Sequence, residues 1–208
     1  MARSERPKKK LNPIHLIVVD GETEKWYFDL YREKESVKNI KLAPDLYKKI
    51  PLRQQYEKIR ANSSDYESII WIIDLDVILK ESKECKKGET KRIDELRKYM
   101  NEFKKDDKIH ILVNTPCLEF WYLLHLRHTN RFYPDYDTLC KEFKNTILDD
   151  YEKTEKYYKQ TPNDIYTKLE PLMNKALCNA NKLGCFNIYD PEKGIAEIHK
   201  VFDIINPK

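Results

Sequence analysis

The sequence predicts an α/β fold: a mostly parallel sheet flanked by helices, with a helical carboxy-terminal extension. Three observations carry this. The nearly continuous apolar runs "IHLIVVD", "SIIWIID" and "KIHILVN" read as strands covered on both faces. Segments with helical spacing stand between them, so strand and helix alternate over the first 128 residues. From about residue 130 no apolar run of that quality recurs, and the clearest segments have helical periodicity.

The elements follow in order. Residues 1–12, "MARSERPKKKLN", form a basic tail, either a solubilising segment or a phosphate-contacting arm. Residues 13–128 form the α/β domain. Its first strand runs over "IHLIVVD", Gly21 makes a turn, and Thr23 to Glu35 reads as a helix whose packing face holds Trp26, Phe28, Leu30 and Tyr31. "NIKLAPDL" is a short, weak strand, and "LRQQYEKIRAN" is a helix closed by Asn62. "SIIWIIDLD", from Ser68 to Asp76, is the strongest strand pattern in the chain, and a charged connection, "LKESKECKKGE", follows it. In "TKRIDELRKYMNEFKK", Ile93, Leu96, Met100 and Phe103 recur at helical spacing, with Thr90 as the expected cap. "KIHILVN" is a further buried strand, and after Pro116 "CLEFWYLLHLRH" reads as an aromatic-rich helix. The extension, residues 129–208, has "DIYTKLEPLMNKALCNANKL", kinked or restarted at Pro171, and "EKGIAEIHKVFDII" as its helical segments.

Composition excludes several classes. The 208 residues are 36% charged and 40% hydrophobic with 14 tyrosines, a balance that supports a packed core and argues against global disorder. The net charge of +4 permits a nucleic-acid partner without demanding one. The five cysteines are scattered with no CxxC pair, which argues against a zinc site of the usual spacing and suits reduced thiols. No apolar run approaches the roughly 20 residues of a membrane helix, and the amino terminus is polar and basic, so no membrane partner and a cytoplasmic setting are expected.

The acids are the informative feature. All strands of a parallel sheet share one carboxyl edge, and functional groups collect there. The first strand ends in Asp20, with Glu24 four residues on. The strand ending near residue 76 carries Asp74 and Asp76, which share one strand face by the period of two. "NTPCLE" brings Glu119 toward the same edge. Carboxylates crowded together tolerate each other best around a cation, and an all-oxygen set suits Mg²⁺ or Mn²⁺. Plainer roles compete at some positions. Asp20 before Gly is also a turn former. Glu119 also suits a helix amino terminus. Glu22 reads as solvent-facing.

Three motifs in this order, "VVDGETEKWYF", "IIDLD" and "NTPCLEFWYLLH", resemble the RloB-like family of Toprim-domain proteins, related to OLD-type nucleases. "DGETE" is similar to the acid-Gly motif after the first Toprim strand, and "DLD" to its DxD motif. The chain departs from the pattern at Asp20, where the family has the longer Glu, and at "NTP", where Ser-Asn-Pro is common. The resemblance implies a Toprim/Rossmann-like fold and a metal-dependent nuclease of DNA or RNA in bacterial anti-phage defence, with an ABC/AAA-type ATPase as partner subunit. It implies Asp20, Glu24, Asp74 and Asp76 as metal-binding residues, with Glu119 an additional ligand or a water-orienting base. His125, six residues after Glu119, is a second catalytic candidate; it shares a helical face with His128, and the pair reads either as metal ligands or as core or capping residues. A catalytic lysine, as in some OLD-like nucleases, falls either among Lys80, Lys83, Lys86, Lys87 and Lys91 around the DxD loop or in the carboxy-terminal helices. Homo-oligomers are common among such nucleases. The alternative is a non-catalytic regulatory or nucleic-acid-sensing subunit with a degenerate metal site.

Overall fold

The computed structural model describes residues 14–19, 21–43 and 50–206. Its sheet has five strands: β1 (His15–Val18), β2 (Ile40–Ala43), β3 (Ser68–Asp74), β4 (Ile109–Thr115) and β5 (Ile195–Ala196), in the order β2-β1-β3-β4-β5. The first four run parallel, and β5 is antiparallel to β4. The expected mostly parallel α/β architecture is therefore observed. The chain leaves β1 to one side to form β2, then returns to the other side as β3. The switch point thus lies between β1 and β3, where a crevice opens beyond the strand ends in sheets of this kind.

The period of two explains how the apolar strands are buried twice over. Ile17, Ile70, Ile72 and Leu112 pack into one cluster with α1 (Glu22–Lys34), α5 (Glu119–Leu126) and the carboxy-terminal elements. Leu16, Val18, Ile69, Trp71, Ile73 and Val113 pack into a second with α2 (Leu52–Asn62), α3 (Leu75–Glu84) and α4 (Arg92–Phe103). Trp71 is fully buried, and its indole donates to Gln55 Oε1 at 2.8 Å, so the polar corner of the ring is satisfied inside the core.

Past α5 come α6 (Tyr136–Cys140), α7 (Glu155–Tyr158), α8 (Ile165–Leu169), α9 (Met173–Leu183) and α10 (Lys200–Ile205). Asp135, Thr154 and Asp164 cap α6, α7 and α8 by accepting from backbone amides three residues on. Pro171 falls in a 3₁₀ turn between α8 and α9, so the segment breaks there as its ring requires. Among the described residues no helix is long and apolar enough to cross a membrane.

Several expectations are corrected. The strand "SIIWIIDLD" stops at Asp74, and Leu75 begins α3, so Asp76 is helical and does not share a strand face with Asp74. Much of the presumed charged connection is α3 itself, whose Leu75 and Ile78 reach the core while its lysines stay outside. Thr90 caps nothing: the residue before α4 is Lys91. The segment "EKGIAEIHKVFDII" is not one helix, because Ile195 and Ala196 pair with Thr115 and Asn114 as β5 before α10 begins. The buried Glu197 explains this local choice. Its carboxylate accepts from the Val113 amide at 3.0 Å and the Phe186 amide at 3.1 Å, satisfying two backbone donors at the sheet edge, while Lys200 reaches it at 2.5 Å.

Candidate active site

The carboxyl ends of β3 and β4 are in register, with Asp74 opposite Asn114. Asp74 continues the parity of Ile70 and Ile72, so it faces the side of the sheet covered by α1 and α5. It is nearly buried, and both its oxygens are engaged from the neighbouring strand end. Asn114 Nδ2 donates to Oδ1 at 3.3 Å, and the Leu118 amide donates to Oδ2 at 3.3 Å. Asp76, the second residue of α3, is half-buried. Its backbone amide donates to the Pro116 carbonyl at 3.0 Å, and its Oδ1 accepts from the Val77 amide at 2.6 Å. The "IIDLD" and "NTPCLE" segments are thus stitched together residue by residue.

Glu24 reaches the same side of the sheet from α1. It is almost fully buried, and Thr23 Oγ1 donates to its Oε2 at 3.2 Å. Gly21 is extended (φ −136°, ψ 164°), so no left-handed conformation calls for glycine there. Space matters instead: a Cβ at position 21 would displace Glu24 Oε2, because that carboxylate folds back against the turn. Glu22 is exposed, as its position suggested. Asp20 lies outside the described residues.

Glu119, the first residue of α5, is the most deeply enclosed of these acids, at 0% exposure. Its Oε1 accepts from the Tyr151 hydroxyl at 2.6 Å and pairs with Lys153 Nζ at 3.1 Å, while its Oε2 has no hydrogen-bond partner. Burial opposes the Lys153 charge, but the Glu119 carboxylate, with Cys117 and Asp74 beyond it, holds the ammonium protonated well above the ordinary lysine range. The ammonium also sits 4.1 Å from the centre of the Tyr136 ring. Burial, together with the Glu119 and Asp74 charges, pushes the Cys117 thiol up, which makes it a poor nucleophile. Tyr158, its ring 5.3 Å from that of Trp26, is raised by burial and by the charges of Glu119 and Glu24. One electrostatic neighbourhood therefore runs from Glu24 through Tyr158 and Tyr151 to Glu119, Lys153 and Asp74.

His125 is not part of it. It is fully buried on α5, its ring 4.6 Å from Trp121, and its Nδ1 lies 2.9 Å from the Trp121 carbonyl. Burial lowers it to about 4, and no carboxylate charge offsets that. The expected pairing with His128 does not form, because α5 ends at Leu126 and Arg127 is extended, leaving His128 exposed. The lysines around the DxD loop are exposed, and Arg92 is engaged by Glu81 and Glu95. The cation paired with Glu119 is Lys153, from "DDYEKTEKYY", a stretch whose polarity and lack of period give no local signal of a site.

The donor set suits a hard cation in kind. Every candidate atom is oxygen, and Glu119 Oε2 and Asn114 Oδ1 are buried without partners. In number it is sparse: among the described residues, no three His, Cys, Asp or Glu side chains group closely enough to cage a metal. Mg²⁺ characteristically takes one or two carboxylates and keeps several waters, so the set fits such an ion and not a closed structural site.

These observations define an α/β protein with a buried, lysine-braced acidic cluster at the carboxyl ends of its parallel strands. The family model described as RloB-like protein matches residues 15–205, and the chain belongs to the RloB-like family. Comparison with curated proteins and with solved structures gave no match.

Proposed function

We propose that this RloB-like protein is a Mg²⁺- or Mn²⁺-dependent nuclease of the Toprim type, hydrolysing phosphodiester bonds of DNA or RNA in anti-phage defence beside an ABC/AAA-type ATPase. The observation that carries the reading is Glu119: a fully buried acid with one oxygen braced by Lys153 and Tyr151 and the other unpartnered, beside Asp74 at the strand ends. Buried acids with that degree of incomplete pairing are costly and mark working sites. Asp20, Glu24, Asp74 and Asp76 would hold the ion, which when bound polarises a phosphoryl oxygen and lowers the pKa of water. Glu119 would add a further ligand oxygen, Oε2. Lys153, held protonated beside Glu119, would offset charge gathering on the phosphate. His125, sealed against Trp121, takes no part.

The test is incubation of purified protein with plasmid DNA and with transfer RNA in Mg²⁺ or Mn²⁺, comparing wild type with Asp74→Ala and Asp76→Ala. Cleavage by wild type alone is expected; cleavage that survives both substitutions rejects the assignment.

One observation favours a second reading, a non-catalytic regulatory or nucleic-acid-sensing subunit: the described acids and histidines form no three-donor cage. Calorimetry separates the two, since that reading expects no Mg²⁺ or Mn²⁺ affinity.

A further inference from the structure

The hydroxyls of two buried tyrosines, Tyr122 and Tyr158, and of the half-buried Tyr151 form a chain that ends on Glu119. Tyr122 lies 3.2 Å from Tyr158, Tyr158 lies 2.6 Å from Tyr151, and Tyr151 lies 2.6 Å from Glu119 Oε1. Burial raises all three phenols well above the ordinary tyrosine range, so each keeps its proton. A phenol has one proton to donate, and this fixes the direction of the chain. Tyr151 spends its proton on the Glu119 carboxylate, so Tyr158 must donate to Tyr151 and Tyr122 to Tyr158. Every donor points toward Glu119, and successive bonds polarise one another in that sense. Lys153 adds a charged donor on the same oxygen, Oε1. Glu119 Oε2 is left buried and without a partner.

We propose that Tyr151 is a positioning residue: with Lys153 it takes up Glu119 Oε1 and turns Oε2 out as an oxygen donor to a divalent cation at the strand ends. The inference rests on the metal-binding part of the reading above and not on nucleic-acid cleavage. It assigns a role in the site to residues beyond the strand-helix alternation, where neither polarity nor periodicity marks one.

The test is Mn²⁺ titration of the full chain, followed by electron paramagnetic resonance of the free ion, with thermal unfolding measured on the same samples. Tyr151→Phe keeps the ring packed against Phe143, Tyr122, Tyr157 and Tyr158 and removes only the hydroxyl. The expected result is Mn²⁺ binding weakened about tenfold, the usual effect of losing an outer-shell partner, with the fold retained. Tyr158→Phe leaves the Tyr151 bond in place and is expected to weaken binding by a smaller factor; it decides the matter if Tyr151→Phe does not fold. Unchanged Mn²⁺ affinity in the folded variants overturns the proposal, and a wild type that binds no Mn²⁺ overturns it together with the metal site. Weakened binding in the variants with no cleavage by wild type upholds the proposal and rejects the nuclease reading alone.

Discussion

Lys153 and Glu119 form an ion pair of which only one partner meets water: the lysine side chain is 36% exposed and the glutamate side chain 0%. The acid therefore depends on the lysine more than the lysine depends on the acid. Lys153→Met is expected to destabilise the protein by about 1–3 kcal/mol, since it leaves a buried acceptor short of a donor. Adding Glu119→Gln should recover part of that loss, with a coupling of about 0.5–3 kcal/mol in a double-mutant cycle by urea denaturation. Strictly additive costs would show that the pair is not coupled.

Gly21→Ala probes the turn before α1. The new Cβ takes the space held by Glu24 Oε2, and the flexible carboxylate is what yields. The expected outcome is a folded protein, with unfolding shifted by no more than about 1 kcal/mol, whose Mn²⁺ affinity is nonetheless reduced. Intact Mn²⁺ binding would mean that the Glu24 carboxylate is not needed where the turn puts it.

Tyr27→Phe tests the link between α1 and α5. The Trp121 indole donates to the Tyr27 hydroxyl at 3.0 Å, and both residues are fully buried. Removing the acceptor while keeping the ring strands a buried N–H, which costs about 1–3 kcal/mol. A denaturation midpoint equal to that of wild type would contradict this.

The stability of the protein should fall in mild acid through His125. Its folded value is about 4 against an ordinary 6.5. Between these values the unfolded chain binds the extra proton, so the contribution is fully present above about pH 6.5 and is lost as the pH falls toward 4. The slope approaches about 1.4 kcal/mol per pH unit in that window. His15, His110 and His199 are shifted the same way by burial and steepen the trend. Denaturation at pH 7 and pH 5 should show a smaller loss for His125→Leu than for wild type; equal losses would remove His125 as a source.

The sequence was readable where one physical signal dominated. The strands β1, β3 and β4 announced themselves because burial on both faces demands continuous apolar runs, and "LRQQYEKIRAN" became α2 over its whole length. "IIDLD" misled because period two and helix initiation compete there: with Leu75 buried as the first residue of α3, Asp76 left the strand. "KGIAEIH" misled because helical propensity lost to sheet pairing through Ile195 and to the buried Glu197 carboxylate. The acids Glu24, Asp74 and Glu119 were visible as candidates from their places at strand ends. Lys153 and Tyr151 were not, since their importance comes from a long-range contact with Glu119 that no local pattern encodes. His125 illustrates the reverse error. A histidine in a run as apolar as "FWYLLHL" is first of all a core residue, and its ring lies against Trp121.

The tyrosine chain has a practical consequence for anyone trimming the polypeptide. The visible change of character near residue 128 invites a fragment ending there, yet Tyr151, Lys153 and Tyr158 would be discarded with the remainder. Such a fragment would keep the three motifs "VVDGETEKWYF", "IIDLD" and "NTPCLEFWYLLH" and lose the donors that steady Glu119. A negative result from it would say nothing about the intact chain.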